Sequence, residues 1–179
     1  MSIIIRVFCA PRGDNSGRNA VYDLLEDAYG KGCGGDFPEI KKTPYGKPYF
    51  PEKPEIHFSL SHAQTHVLCA ISDSPVGVDI ESPRLISQRA IGYFSVPEEL
   101  TMFDPLDLWV IKESYVKLFG KTIASIRTLR FSRRDDEIIV PDDKVAIKLY
   151  HVGDCSAAVS SLGGIPPDSI ELVLRIASN

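Results

Sequence analysis

The sequence predicts an α+β protein whose helices and strands are segregated into two similar halves. Three observations carry that expectation. Strand-like runs rich in β-branched and aromatic residues cluster in two stretches, the first a meander by its turn chemistry; three segments carry helix signals; and the element order is β, α, β-meander, α, α, β-meander. The 179 residues are enough for one ordinary domain or two tightly fused half-size units. With 44% hydrophobic and 25% charged residues the chain lies near the globular average, which excludes one dominated by disorder.

The first element is a strand at 3–9 (IIIRVFC), followed by a loop marked by Pro11, Gly13 and Gly17. Val21, Leu24, Leu25 and Ala28 fall at i, i+3, i+4 and i+7 and predict an amphipathic helix over 18–29, with Asn15 or Ser16 as N-cap and Gly30 as stop. The next stretch, 30–54, has too many Gly and Pro for regular structure and reads as a long surface connection. IHFSL, HVLCAIS and VGVDIE then predict an antiparallel meander, with SHAQT and DSP as turns. Ser95, Pro97 and Glu98 form a capping signal before one turn of helix. Asp104, Pro105 and Asp107 start a second helix over 105–119, whose apolar face is Leu108, Ile111, Tyr115 and Leu118 and whose end is Gly120. From Ile126 the chain reads as strands again: TLRFSRR, EIIV, VAIKLYHV, SAAVSS and IELVLRIA.

A net charge of −4 argues against a protein that coats nucleic acid by neutralising phosphates. Cys9, Cys33, Cys69 and Cys155 are scattered, with no CxxC pair, so neither a zinc site nor a disulfide framework is expected and reduced thiols fit best. The apolar run Ile3–Ile5 is too short for a signal-peptide core or a membrane span, so the expectation is a cytoplasmic protein.

Four patches carry candidate chemistry. In VGVDIE, Asp79 and Glu81 lie two apart, so a strand puts both carboxylates on one face, where oxygen ligands suit a hard ion such as Mg²⁺; a solvated edge-strand face is the plainer account. In LWVIKESYVKLFGK, Glu113 and Lys117 are i, i+4 with Lys112 beside them, a spacing that also makes an ordinary surface ion pair. In FSLSHAQTH, Ser59 and Ser61 alternate with Phe58 and Leu60, and His62 opens a loop where an imidazole is available to a phosphate. His57 and His66 read as ordinary surface residues. In Tyr45-Gly46-Lys47-Pro48 the glycine lets backbone approach a ligand, although a turn explains it equally well.

Together these patches resemble the 4'-phosphopantetheinyl transferases, in particular the Sfp-type branch. Members read YGKP, an F-x-x-S-H stretch, (V/I)G(V/I)D(I/V)E and a W-x-x-K-E-(S/A)-x-x-K helix. This chain has YGKP at 45–48, FSLSH at 58–62, VGVDIE at 76–81 and WVIKESYVK at 109–117, in that order and at similar spacing. The resemblance covers roughly residues 39–121.

The resemblance implies a pseudo-dimer of two α+β halves, 1–75 and 76–179, with coenzyme A in the cleft between them. It implies transfer of the phosphopantetheine arm of coenzyme A to a serine of an acyl or peptidyl carrier protein, releasing adenosine 3',5'-bisphosphate. By motif position Asp79, Glu81 and Glu113 would hold Mg²⁺, Glu113 and Lys117 would be catalytic, and Lys112 would sit near the same phosphates. Ser61 and His62 would contact the coenzyme's phosphates, Lys47 and Pro48 would line the adenine side, and Arg18 is the best match for a 3'-phosphate contact in an N-terminal part shorter than the family's. The segment 84–94, with Arg84, Arg89, Ile91, Tyr93 and Phe94, reads from its residues as a carrier-protein docking surface, with a short helix packed on the core and solvated arginines as the plainer account. A monomer is expected, with neither nucleic acid nor membrane as partner. The alternatives are a non-catalytic homologue that binds coenzyme A and an unrelated Mg²⁺-dependent phosphohydrolase.

Overall fold

Two sheets with the same connection order organise the computed structural model, which describes residues 4–13 and 16–173. In the first, β1 (Ile5–Pro11) leads to helix α1 (Gly17–Gly32), a ribbon of β2 (Lys41–Lys42) and β3 (Pro48–Tyr49), and a hairpin of β4 (His57–His62) and β5 (His66–Ser72), with β5 between β1 and β4. In the second, β6 (Val76–Glu81) leads through α2 (Gln88–Phe94) and a 3-10 turn at Glu99–Thr101 to helix α3 (Pro105–Phe119). A second 3-10 turn (Ile123–Thr128), a ribbon of β7 (Ser132–Arg134) and β8 (Glu137–Ile139), and a hairpin of β9 (Val145–Val152) and β10 (Cys155–Leu162) complete it, with β10 between β6 and β9. β11 (Glu171–Leu172) returns to pair in parallel with β1. The fold is a mixed α+β arrangement of several sheets and few helices.

The strands' period of two sorts side chains into layers. Phe8, Ala10, Val67, Cys69 and Ile71 pack beneath Ala20, Leu24, Leu25 and Ala28 of α1. From the other face Val7, Cys9, Leu68 and Ala70 meet Val76, Val78, Ile80, Ala157 and Val159 of the second sheet. Leu108, Ile111, Tyr115 and Leu118 of α3 join Ala158 on that sheet's far side. The order is therefore helix, sheet, sheet, helix. At one seam β4 and β6 meet edge to edge without a strand ladder: Val78 N–H donates to Ser59 Oγ (3.0 Å) and Ile80 N–H to Ser61 Oγ (3.3 Å). Serine hydroxyls thus satisfy buried backbone donors that a strand would otherwise take.

Several expectations are corrected here. The three-strand meander holds only for β4 and β5, because β6 crosses to pair with β10. The Asp73-Ser74-Pro75 turn is tied to that sheet instead: Leu162 N–H donates to Pro75 O, and Ser74 Oγ to Leu162 O. Gly30 does not stop α1, which continues to Gly32; the glycine is exposed, and its low helix propensity costs only about 1 kcal/mol. Ser16 is the N-cap, accepting from Asn19 N–H. Asn15, Ile3 and the end of IELVLRIA lie outside the described residues. In the capping signal near 95–99 the acid is Glu99 rather than Glu98, accepting from Val96 N–H at 3.1 Å, while Ser95 closes α2 by donating to Ile91 O. Within 84–94 the short helix α2 buries Ile91 and Phe94 while Arg84 and Arg89 stay exposed, and Ile126 sits in a 3-10 turn rather than a strand. The long connection 30–54 holds the small β2–β3 ribbon. α3 has the expected bounds, with Asp104 Oδ1 accepting from Leu106 N–H and Gly120 in the left-handed region at φ 61°. No described helix is long and apolar enough to cross a membrane.

Candidate active site

α3 can deliver Glu113 and Lys117 to β6 because Gly77 removes the obstacle between them. A Cβ at that position would lie 2.1 Å from Ser114 O and 2.4 Å from Leu118 N, so only glycine lets the helix backbone rest on the strand. Two residues on, Asp79 shares Gly77's face and meets Lys117, Oδ1 to Nζ at 2.7 Å. Ser61 Oγ donates to the same Oδ1 (2.8 Å) and accepts from Lys117 Nζ (3.0 Å). With its bond from Ile80 N–H, the Ser61 hydroxyl has three protein partners.

Around this pair the acids are poorly satisfied. Asp79 Oδ2 and Glu113 Oε1 are buried with no hydrogen-bond partner among the described residues. Burial, then the nearby Asp79 charge and that of Glu81, push the Glu113 carboxyl up to about 7, against the pull of Lys117. Glu81 is raised as well, by burial and by Asp79; Arg84 at 3.3 Å, a hydrogen bond from Trp109 and Lys117 oppose the rise. Among the described residues no three His, Cys, Asp or Glu side chains are drawn together tightly enough to enclose an ion, and the cation that Asp79 holds is the Lys117 ammonium. The two orphaned carboxylate oxygens, backed by mutually repelling acids, nevertheless fit a hard divalent ion such as Mg²⁺ in charge and donor type.

Lys117 also faces a cleft of about 330 Å³ between α1, the β2–β3 ribbon, β4 and the end of α3. Arg18, Lys42, Lys47, His62, Lys117 and Lys121 line it over a floor that includes Pro48 and Phe58, and no acidic side chain lines it among the described residues. Such a lining suits a ligand with several negative charges. Lys117 is the side chain common to cleft and acid cluster.

The structure brings Arg18, Lys47, Pro48, His62 and Lys117 to one cleft and sets Ser61, Asp79, Glu81 and Glu113 beside it. Lys47 is also a tie. Its ammonium donates to Leu118 O (2.7 Å) and Val76 O (3.3 Å), and burial lowers it to about 8. Lys112 is not brought here. It is fully buried on another face of α3, bonded to Glu99 (2.8 Å), Phe94 O (2.6 Å) and Leu129 O (3.1 Å), so all three of its protons are committed away from the cleft. Glu99 in turn accepts from Val96 and Phe131 N–H, making the pair a strut for the turns around it.

Sequence reasoning missed Lys42, Lys121, Gly17 and Gly77. A glycine inside a strand pattern was the available signal for Gly77, whereas nothing in one dimension marks the two lysines. His66, expected as an ordinary surface residue, is half-buried, 2.9 Å from Thr65 Oγ1 and 3.7 Å from Cys155 Sγ.

A cation-lined cleft beside clustered acids suits an anionic, phosphate-bearing ligand in charge, and comparison with known proteins narrows the reading. No protein-family model matches the chain. It is 32% identical to the 4'-phosphopantetheinyl transferase Sfp of Bacillus subtilis (strain 168) over 122 residues, covering 63% of this chain and 48% of that protein. It is 37% identical to the 4'-phosphopantetheinyl transferase gsp of Aneurinibacillus migulanus over 92 residues, 46% of this chain and 38% of that one. The 4'-phosphopantetheinyl transferase ffp of Bacillus subtilis is 35% identical over 115 residues, 59% of this chain and 49% of its own length. By sequence the chain is similar to these 4'-phosphopantetheinyl transferases, and it spans less than half of their length.

Proposed function

We propose that the chain transfers the 4'-phosphopantetheine arm of coenzyme A to a serine of an acyl or peptidyl carrier protein and releases adenosine 3',5'-bisphosphate. The observation that carries this reading is Lys117, which is bonded to Asp79 and Ser61 on one side and borders a cation-lined cleft on the other. Coenzyme A presents a pyrophosphate and a 3'-phosphate, whose charge Arg18, His62, Lys42 and Lys121 would neutralise in that cleft, with Lys47 and Pro48 walling the adenine side. Asp79, Glu81 and Glu113 are the residues that would hold Mg²⁺, which when bound supplies further neutralisation of the pyrophosphate.

The carrier serine Oγ attacks the phosphorus bearing the pantetheine arm, and the bond from that phosphorus to the bridging oxygen breaks. Glu113 takes the serine proton: a carboxyl raised to about 7 by burial is a stronger base than an exposed one. Lys117 stabilises the charge that develops on the bridging oxygen, held in place beforehand by Asp79 and Ser61. Ser61 serves by positioning Lys117 and Asp79. Lys112 supports α3 and has no part in ligand binding.

The shared strand order supports reading 1–75 and 76–179 as the two halves of a pseudo-dimer; we read the chain as a cytoplasmic monomer. For the carrier surface, Ile91 and Phe94 are buried, which leaves Arg84, Arg89, Leu85 and Tyr93 exposed on the segment after β6.

Intact-mass spectrometry of a carrier protein incubated with coenzyme A, Mg²⁺ and this protein tests the reading. The expected result is a gain of the phosphopantetheine mass. Coenzyme A binding without mass gain would favour the non-catalytic homologue, and hydrolysis of coenzyme A with an unmodified carrier would favour a phosphohydrolase.

A further inference from the structure

His62 hangs at the exposed end of β4, where a long-range restraint on its ring is not expected, yet α1 begins directly against it. Gly17, the first residue of α1, is buried. A Cβ built there would stand 2.8 Å from His62 Cγ and 3.0 Å from both Cδ2 and Nδ1. Those contacts are with the body of the imidazole, so a side chain of any size at position 17 would push the ring off its seat. The backbone of Gly17 is outside the left-handed region, which means that space rather than conformation requires the glycine. Gly30, on the same helix, has nothing within 4 Å of its Cβ position. Of the three glycines of α1, Gly17 is therefore a seat, Gly30 is incidental, and Gly32 lies at ordinary contact distance from Arg6.

We propose that Gly17 is a positioning residue for His62: the missing side chain holds the imidazole flat against the first turn of α1, so that its ring edge faces the cation-lined cleft. The proposal rests on the reading of His62 as a phosphate contact for coenzyme A, but its geometric part stands without ligand. An imidazole fixed before the ligand arrives loses less rotamer freedom on binding than a free one. Arg18 enters the same cleft from the next residue of the helix, so the start of α1 sets two of the cleft's cations at once.

The test is a double-mutant cycle of Gly17→Ala and His62→Ala, with Gly30→Ala as control. In the ligand-free protein, the His62 imidazole ¹⁵N resonances should move in Gly17→Ala and stay in Gly30→Ala. In calorimetric titrations with coenzyme A, Gly17→Ala should bind about tenfold more weakly than wild type, and the same change in a His62→Ala background should cost nothing further, since no ring remains to be displaced. An unmoved His62 resonance in Gly17→Ala, or an equal affinity loss with and without the ring, overturns the seat. If Gly17→Ala fails to fold while Gly17→Ala/His62→Ala folds, the clash with the ring is demonstrated directly; failure of both to fold counts against it. Wild type that binds no coenzyme A, with the resonance shift still seen, would overturn the functional reading and leave the seat intact.

Discussion

Two lysines five residues apart on α3 lead opposite lives. Lys112 is completely buried and its partner Glu99 is 2% exposed; Lys117 is 31% exposed and its partner Asp79 is 7% exposed. Lys112 spends all three protons on Glu99 and two carbonyls, and Glu99 has two backbone donors besides, so that network is closed. Around Lys117 the network is open: Asp79 Oδ2 and Glu113 Oε1 lack partners among the described residues, and a cleft lies alongside. The lesson is that a lysine–acid pair is read by what it leaves unsatisfied. A closed pair fixes structure, and an open one has capacity for a ligand.

Removing one member of each pair gives the sharpest contrast. Asp79→Ala should abolish transfer to the carrier while the far-ultraviolet circular dichroism and melting cooperativity stay native, because Lys117 can turn toward solvent and the repulsion on Glu81 and Glu113 is relieved. Unchanged turnover at saturating Mg²⁺ would remove Asp79 from the site.

In the closed pair the loss appears in stability. Lys112→Met leaves the Glu99 carboxylate buried without its cation and should cost about 3–5 kcal/mol in urea unfolding, with transfer by whatever fraction stays folded close to normal. A well-folded Lys112→Met protein with weakened coenzyme A binding would return that lysine to the cleft.

A pH effect distinguishes the open cluster further. Glu113 binds its proton more tightly folded than unfolded, so its stabilising contribution is full below the ordinary 4.5 and is lost as pH rises toward 7. In metal-free protein Glu113→Gln should therefore flatten the fall in stability over that window and be about 1 kcal/mol more stable than wild type at neutral pH, after allowance for solvent screening. Parallel pH profiles for the two proteins would show that Glu113 is not strained.

The smallest effect is expected at the periphery. Reversing charge at Arg84 and Arg89 should raise KM for the carrier about three- to tenfold at low salt, with KM for coenzyme A unchanged. Equal changes for both substrates would rule out a docking surface there.

How far the sequence carries depends on where each signal resides. α3 was readable end to end because both of its limits are local chemistry: Asp104 and Pro105 at the start, a left-handed Gly120 at the stop. Spacing pairs Asp79 with Glu81 on a strand face and Glu113 with Lys117 on a helix face, whereas only the family resemblance joins the two pairs. The crossing of β6 was not, since a short apolar strand after a three-residue turn specifies no partner, and the pairing that decides it lies about eighty residues downstream on β10. Lys112 misled for the same reason: its place beside Glu113 in the chain says nothing of Glu99, which comes from a separate turn. In one dimension Gly17 reads as loop punctuation, and only the folded contact with His62 gives it a role.

The most direct measurement is the single-turnover rate of transfer by Lys117→Met, followed by the intact mass of the carrier and paired with a urea unfolding curve. If Lys117 joins the acids to the cleft and stabilises charge on the bridging oxygen, the rate should fall on the order of a hundredfold or more while stability changes by about 1 kcal/mol. A near-normal rate in a folded Lys117→Met protein would contradict the account, and would make the Lys117–Asp79 pair as purely structural as its neighbour.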